Sequence, residues 1–504
     1  MAKSTGNSVS GSKKDVEFNS WDFAEVFAAT GSAATASITS SKFEKRNLSY
    51  YGRLNYDYQE KYLFSFTLRK DGSSSFGPAS KFGNFYATSL GWVVSSEKFF
   101  KPNIVQFLKV RGSYGVTGND NVSPQFQQIS SIPYTYGLGQ NTVYTFGSNT
   151  STTGSTILTY KNDALEWEKQ KQFNFGFDAR LLENKLSVSV DYFDKRVSGL
   201  LFQPSLSLYL GTAQVPSANV GTTKVSGYDI SVGYTANVSK DFKVSSNVTF
   251  TTSKSLVTDA GDGPPLAGGY YGVQGQPVTR FQKGFAPAYF YGYKTNGLFQ
   301  TQAEINKSAT QSNAQPGDIK YVDINGSGII NDSDKTNIGN PYPKFTIGWS
   351  LSLEYKGFDF STYLYASVGN DIYRAYERNS QFSNKYRGVL ARWTGPGTTN
   401  DSKDPRVTFK DLNNNARVSD RYVEDGSFLK VKDIQFGYTL PSSLFRNKIF
   451  SKMRAYVQVK NAITFTKYTG YDPEISNGGL LETGIDRGAY PQARVYSMGI
   501  DLKF

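Results

Sequence analysis

Residues 323–334 read "DINGSGIINDSD", the stretch of this chain whose residue types and spacing best suit chemistry. Oxygen-bearing side chains fall at loop positions 1, 3, 5, 9 and 12, with glycine at 6, the spacing with which a short loop wraps a calcium ion. Asp323, Asn325 and Ser327 would fill positions 1, 3 and 5. Ile329 would offer its backbone carbonyl at position 7, Asn331 would fill 9 and Asp334 would fill 12. Gly328 stands at 6, where the turn needs a positive φ. Calcium takes six to eight oxygens, and alternate residues of a tight loop can aim them at one centre.

Two positions depart from the strongest form of such a loop. Ser327 is a weaker ligand than Asp, and Asp334 replaces the long bidentate Glu of an EF-hand, as dockerin-type loops do. With two certain anions among the side-chain ligands, the expected affinity is weak, on the order of 10⁻⁴–10⁻³ M, as in extracellular modules. No amphipathic helix pair flanks the loop, so a calmodulin-type switch is not expected. The competing reading is an Asx-rich turn whose Asp and Asn bond their own backbone. Either way the stretch stiffens a loop.

The remaining inventory removes most enzyme classes. The chain has no His and no Cys, hence no serine triad, thiol nucleophile, imidazole base, ordinary zinc site or disulfide. Carboxylates such as Asp401 with Asp404 could serve a glycosidase, but nothing places them about a substrate. "GLGQ" and "GVQGQP" lack the strand–helix setting of a phosphate loop. No catalysis is expected. The net charge of +13 is scattered among carboxylates and forms no basic run, so no nucleic-acid partner is expected.

The elements that carry these residues are strands. Tyr and Phe number 35 and 36 and Gly 48, a composition that suits pleated surfaces and tight turns. In "LSYYGRLNYDY", Leu48, Tyr50, Leu54, Tyr56 and Tyr58 share one face and Ser49, Arg53, Asn55 and Asp57 the other. "FNFGFDARL", "KLSVSVDY", "FTIGWSLSLEY" and the closing "YSMGIDLKF" repeat the alternation. Strands are expected near 47–58, 60–70, 82–95, 106–117, 165–182, 185–200, 224–238, 241–254, 343–356, 358–370, 427–440, 452–466 and 493–504, thirteen in all. They run longer than the roughly 5–6 residues usual in soluble sheets and match a tilted membrane-spanning strand. Aromatic pairs near strand ends, such as Tyr56 with Tyr58, Phe64 with Phe66 and Tyr363 with Tyr365, fit interfacial girdles.

Connection lengths keep a parity. "YQEKY", "LENKL", "VSKDF" and "EYKGF" are tight turns, and they alternate with long polar segments near 118–164, 201–223, 255–342, 371–426 and 467–492. Outer-membrane barrels pair short periplasmic turns with long extracellular loops in this way. No run of about 18 apolar residues offers a transmembrane helix, and the first residues lack the apolar core of a signal peptide. The expected fold is all-β: a membrane-spanning antiparallel β-barrel with long extracellular loops. Residues 1–46 are expected as an extracellular loop at the N-terminal edge, and 47–504 as the barrel portion, with 255–342 as a large extracellular loop bearing the calcium-like motif. An odd strand count opening in an outer loop does not close a bacterial barrel. The chain is therefore expected to be the C-terminal part of a larger one.

Five stretches resemble the SusC/RagA family of TonB-dependent outer-membrane transporters, known from Bacteroidota. They are "LRKDGSSSFGP" (68–78), "VRGSYGVTGN" (110–119), "GDIKYVDINGSGIINDSDKTNIGNPYPKFTIG" (317–348), "VEDGSFLKVKDIQFGYTLP" (423–441) and "YVQVKNAITFTKYTGYDPE" (456–474). "SMGIDLKF" resembles the family's last strand. The resemblance implies uptake of large nutrients, glycans or peptides, through a plugged barrel of about 22 strands. It implies a SusD-like surface lipoprotein as lid and TonB acting through a plug and TonB box that have no counterpart here. It places the chain in a Gram-negative outer membrane, in contact with its lipids. Loop aromatics Tyr134, Tyr136, Tyr144, Trp393 and Tyr468 could stack on sugars or touch the lid, or simply pack. The rival expectation is a secreted or surface β-rich protein that holds glycans with the calcium loop and aromatics. A barrel enzyme is a third, disfavoured by the missing His.

Overall fold

The computed structural model describes residues 2–12, 37–121, 143–146, 150–153, 162–202, 217–270, 275–377, 387–445, 451–475 and 479–503. One antiparallel sheet of fourteen strands dominates, each strand bonded to the next in that sheet's chain order. They are β1 (Ala2–Ser12), β2 (Ser37–Tyr58), β3 (Tyr62–Ser73), β4 (Phe82–Val93), β5 (Val105–Asn119), β6 (Glu168–Leu181) and β7 (Leu186–Ser198). β8 (Thr222–Ser239), β9 (Phe242–Asp259), β10 (Phe345–Tyr355), β11 (Phe358–Val368), β12 (Phe428–Thr439), β13 (Lys452–Thr466) and β14 (Val495–Lys503) complete it. β1 and β14 each have one neighbour in the sheet. Among the described residues no helix is long and apolar enough to cross a membrane.

All thirteen expected strands are present. The strand count itself is corrected, because β1 lies within residues 1–46, expected as a loop, and pairs with β2 from Ala2↔Asn47 to Ser12↔Ser37. Its sequence, "AKSTGNSVSGS", alternates no apolar residues, so periodicity could not reveal it. Backbone hydrogen bonding to β2 is what makes it a strand. Among the described residues the sheet therefore has an even number of strands, fourteen.

The turn parity holds. Three of the four tight hairpins close through residues with left-handed backbone: Gln59 and Glu60, Leu182 to Asn184, and Lys356 with Gly357. In the first, Asp57 accepts from the Glu60 N–H at 2.7 Å. Along each strand, alternate side chains then fall on opposite faces. One face is apolar and bare: Phe175 is 54% exposed, Ile500 61% and Met498 88%. The other is polar. Tyr363 and Tyr365, expected in the girdle, sit on this polar side, paired with Ser350 and Gly348.

The buried core lies elsewhere, in the long connections. Val278, Phe290, Tyr373, Val418, Tyr422 and Ile485 form one cluster drawn from three connections far apart in sequence. Tyr293, Leu298, Ile319 and Tyr321 form another, with Trp393 packed against it. Short strands stitch these segments together, such as Asp371–Arg374, which pairs with both Val423–Asp425 and Ile485–Asp486. The loops form a folded cap over one end of the sheet.

Candidate functional site

The calcium-like loop belongs to this cap. Gly326 and Gly328 adopt φ of +70° and +76°, as the turn requires, and a side chain at either would meet only open space. Asp323 accepts from the N–H groups of Ser327 and Gly328 at 3.1 and 2.7 Å. Asn325 accepts from the Ser327 N–H at 2.8 Å. Ser327 Oγ donates to the Ile329 carbonyl at 3.0 Å, and Asn331 Nδ2 donates to the same oxygen at 3.3 Å.

Asp334 closes the loop from below. It is fully buried and accepts from Ile324, Asn325 and Asn331 N–H groups at 2.9, 3.3 and 2.8 Å. Burial opposes its ionisation, but these three N–H groups and contact with Asp323 hold its carboxyl below the usual value. With Asn331 it forms a reciprocal capping box on the turn Asp332–Asp334. All six candidate ligands therefore lie in one compact turn, with Asp323 and Asp334 in contact. Among the described residues, no group of three or more carboxylates stands poised for a metal. Of the six candidate ligands, Asp323 and Asp334 are the two anions.

The other candidate surface is the polar face of the sheet. Arg111 on β5 donates to Asp178 on β6 at 2.9 Å, and to Asp191 and Ser189 on β7 at 2.6 and 3.2 Å. Ser189 donates in turn to Asp178 at 2.8 Å. A cavity of about 470 Å³ opens beside this cluster, lined among others by Asn55, Asp57, Ser113 and Asn174. Farther round, Ser245, Asn247, Ser350, Ser352 and Ser361 line a second hollow of about 300 Å³. Ser and Asn side chains on alternate positions leave hollows along this face. Room for them comes partly from glycine: Gly176 lies so close to Asp191 that a Cβ there would sit 2.4 Å from its Oδ1.

Neither surface assembles a nucleophile with a base. Asp401 and Asp404 share a turn in which Asp401 accepts from the Lys403 N–H at 2.9 Å. Burial, followed by the charge of Asp401, raises the Asp404 carboxyl. Trp393 and Tyr468 are packing residues: the Trp393 indole donates to Gln300 at 3.2 Å, and the buried Tyr468 hydroxyl donates to Asp486 at 2.6 Å. Tyr134 and Tyr136 lie outside the described residues, as does the side chain of Tyr144. Sequence reasoning missed the Arg111 cluster, whose members meet only once strand register is known. It also missed the buried cation Lys430, which the bulge between Val431 and Asp433 sets at the wall's loop end.

Residues 5–462 match the family described as TonB dependent receptor-like, beta-barrel. TonB-dependent receptor P3 of Formosa agariphila is 33% identical over 94% of this chain and 47% of its own length. TonB-dependent receptor SusC of Bacteroides thetaiotaomicron is 29% identical over 91% of this chain and 44% of its own. The chain thus spans about half the length of these relatives. The solved RagAB peptide transporter superposes with a TM-score of 0.76 at 24% identity, over 97% of this chain and 50% of that one, a likeness of fold.

Proposed function

This chain belongs to the TonB-dependent receptor-like β-barrel family of the outer membrane, and from that premise we propose that it forms the wall through which a large nutrient enters the cell. The nutrient is a glycan, an oligosaccharide or a peptide. A SusD-like surface lipoprotein closes the outer mouth, and TonB energises import through a plug held in the lumen. The observation that carries this reading is the inverted surface: large apolar side chains stand bare on one face of the sheet and charged and hydroxyl groups line the other. Such a surface suits lipid outside and water inside. The calcium-like loop, by this reading, is a weak structural site of the outer cap, and no cofactor serves catalysis.

The test is genetic and biochemical together. Tagged protein drawn from outer membranes in detergent should bring a surface lipoprotein with it, and deletion of its gene should abolish growth on one polymeric nutrient. A folded monomer in detergent-free buffer would overturn the membrane placement. Unchanged growth on every glycan and peptide tried would overturn the import reading alone.

A further inference from the structure

The apolar face carries one feature that general lipid contact does not require. At the tight-turn end, Phe242, Leu353, Tyr355, Phe358, Phe360 and Phe436 line a groove of about 520 Å³. Ring contacts build its walls: Phe242 meets Tyr355 edge-on at 6.1 Å, and Phe358 stacks on Phe436 at 5.8 Å. Asp359 also borders it, but its carboxylate is turned to Arg454. Aromatic side chains are expected at this level of a barrel. A hollow of about 520 Å³ among them is a separate matter.

The turns above the groove add charge. Each of the four tight hairpins, "YQEKY", "LENKL", "VSKDF" and "EYKGF", contains one lysine. Two are neutralised: Lys61 pairs with Glu97 at 3.2 Å and Lys185 with Glu183 at 2.7 Å. The other two, Lys240 and Lys356, make no ion pair among the described residues. They are the two that flank the groove. Lys240 stands between Ser239 and Phe242, and Lys356 between Tyr355 and Phe358, all four being groove residues. The turns are joined by the Lys356 N–H donating to the Asp241 carbonyl. The Lys356 ammonium leans over the Tyr355 ring at 5.4 Å, toward the apolar face.

We propose that this groove is a specific site for an anionic glycerophospholipid of the leaflet that faces the tight turns. One acyl chain lies among the rings, and Lys240 and Lys356 hold the headgroup phosphate. Long lysine side chains reach the interface in this way, and basic pockets beside apolar clefts select acidic headgroups. The inference rests on the membrane placement and is independent of what is transported.

Native mass spectrometry of the detergent-solubilised protein, exchanged into phosphatidylglycerol or phosphatidylcholine micelles, tests it. Wild type should retain one phosphatidylglycerol through delipidation and no phosphatidylcholine. Lys240→Gln with Lys356→Gln should weaken retention on the order of ten- to thirty-fold, as two interfacial lysines would. Leu353→Trp, which fills the groove without touching either lysine, should abolish it, while Lys185→Gln should leave it unchanged. Equal retention of the two lipids, or equal loss in Lys185→Gln, would overturn the proposal. So would displacement of the lipid by millimolar inorganic phosphate, which would mark an anion site rather than a lipid site.

Discussion

Lys430 on β12 donates to Asp472 in the last long connection at 2.6 Å, with both side chains nearly sealed from solvent. Glu474 accepts from Lys430 and from Lys432 at 2.9 and 2.7 Å. The pair rivets the cap to the wall. Removing one partner strands a buried charge, which costs about 3–5 kcal/mol, whereas removing both together costs far less. Lys430→Met should therefore lower the melting temperature and expose residues 467–494 to protease. Lys430→Met combined with Asp472→Asn should recover part of the loss. If the double variant is no better than the single one, the rivet is not the cause.

The same pair makes the cap acid-sensitive. Burial opposes ionisation of Asp472, but the Lys430 ammonium and the N–H groups of Glu474 and Gln492 hold its carboxyl below 3.8. A carboxyl that titrates lower in the folded state stabilises the fold above its unfolded value, and the stabilisation is lost as pH falls through the folded one. The connection should open to protease only below about pH 4, and Asp472→Asn should be open already at neutral pH.

Tyrosines set the opposite limit. Burial, and then donation to Asp332 at 2.9 Å, push the Tyr293 hydroxyl up to about 12. Burial, and to a smaller extent the neighbouring Tyr291, raise Tyr289 to about 12 against the opposing charge of Arg280. Burial raises Tyr321 as well. For these acids the neutral form belongs to the folded state, so its stabilisation is complete below 10 and disappears as pH climbs toward 12. Absorbance titration should show a tyrosinate fraction that ionises late and together with loss of the cap. A single transition near the ordinary tyrosine value, with the cap intact, would contradict this.

Arg111 offers a contrast in magnitude. It joins Asp178 and Asp191 but is about a third exposed, so solvent screens the cluster. Arg111→Ala should cost only about 1–2 kcal/mol, mostly from two carboxylates left facing each other. Adding Asp191→Asn should restore it. Gel-shift unfolding in a titration of denaturant reads both values, and a loss as large as that of Lys430→Met would sink the distinction.

These contrasts show why the wall was legible in the sequence and the cap was not. A strand with one lipid face and one wet face must alternate, so Phe173, Phe175 and Phe177 advertise β6 without reference to any neighbour. β1 lacks that mark because its sequence does not alternate apolar with polar residues, and only pairing with β2 defines it. Tyr363 misled because an aromatic near a strand end can face either side, and register with Ser350 decides which. The cap core joins Phe290, Tyr373 and Ile485, whose sequence neighbours show no common period. Partners such as Asp178 for Arg111 are fixed by register across strands, which spacing along one strand does not encode.

The metal prediction turns on whether the turn "DINGSGIINDSD" does more than bond its own backbone. Asp323 uses both carboxylate oxygens on N–H groups of the turn, yet each oxygen keeps a lone pair, and Asp334 in contact with it would gain from a cation between them. A weak site follows, in the range of about 10⁻⁴–10⁻³ M. Terbium luminescence, sensitised by the cap's tyrosines, should titrate in that range and be competed away by calcium. Asp323→Ala should abolish the signal. Asp332→Ala, at position 10 of the loop but outside the ligand set, should leave it. Calcium should also raise the temperature at which protease reaches the cap in wild type and not in Asp323→Ala. The same luminescence from wild type and Asp323→Ala would reduce the loop to an Asx turn held by Asp334.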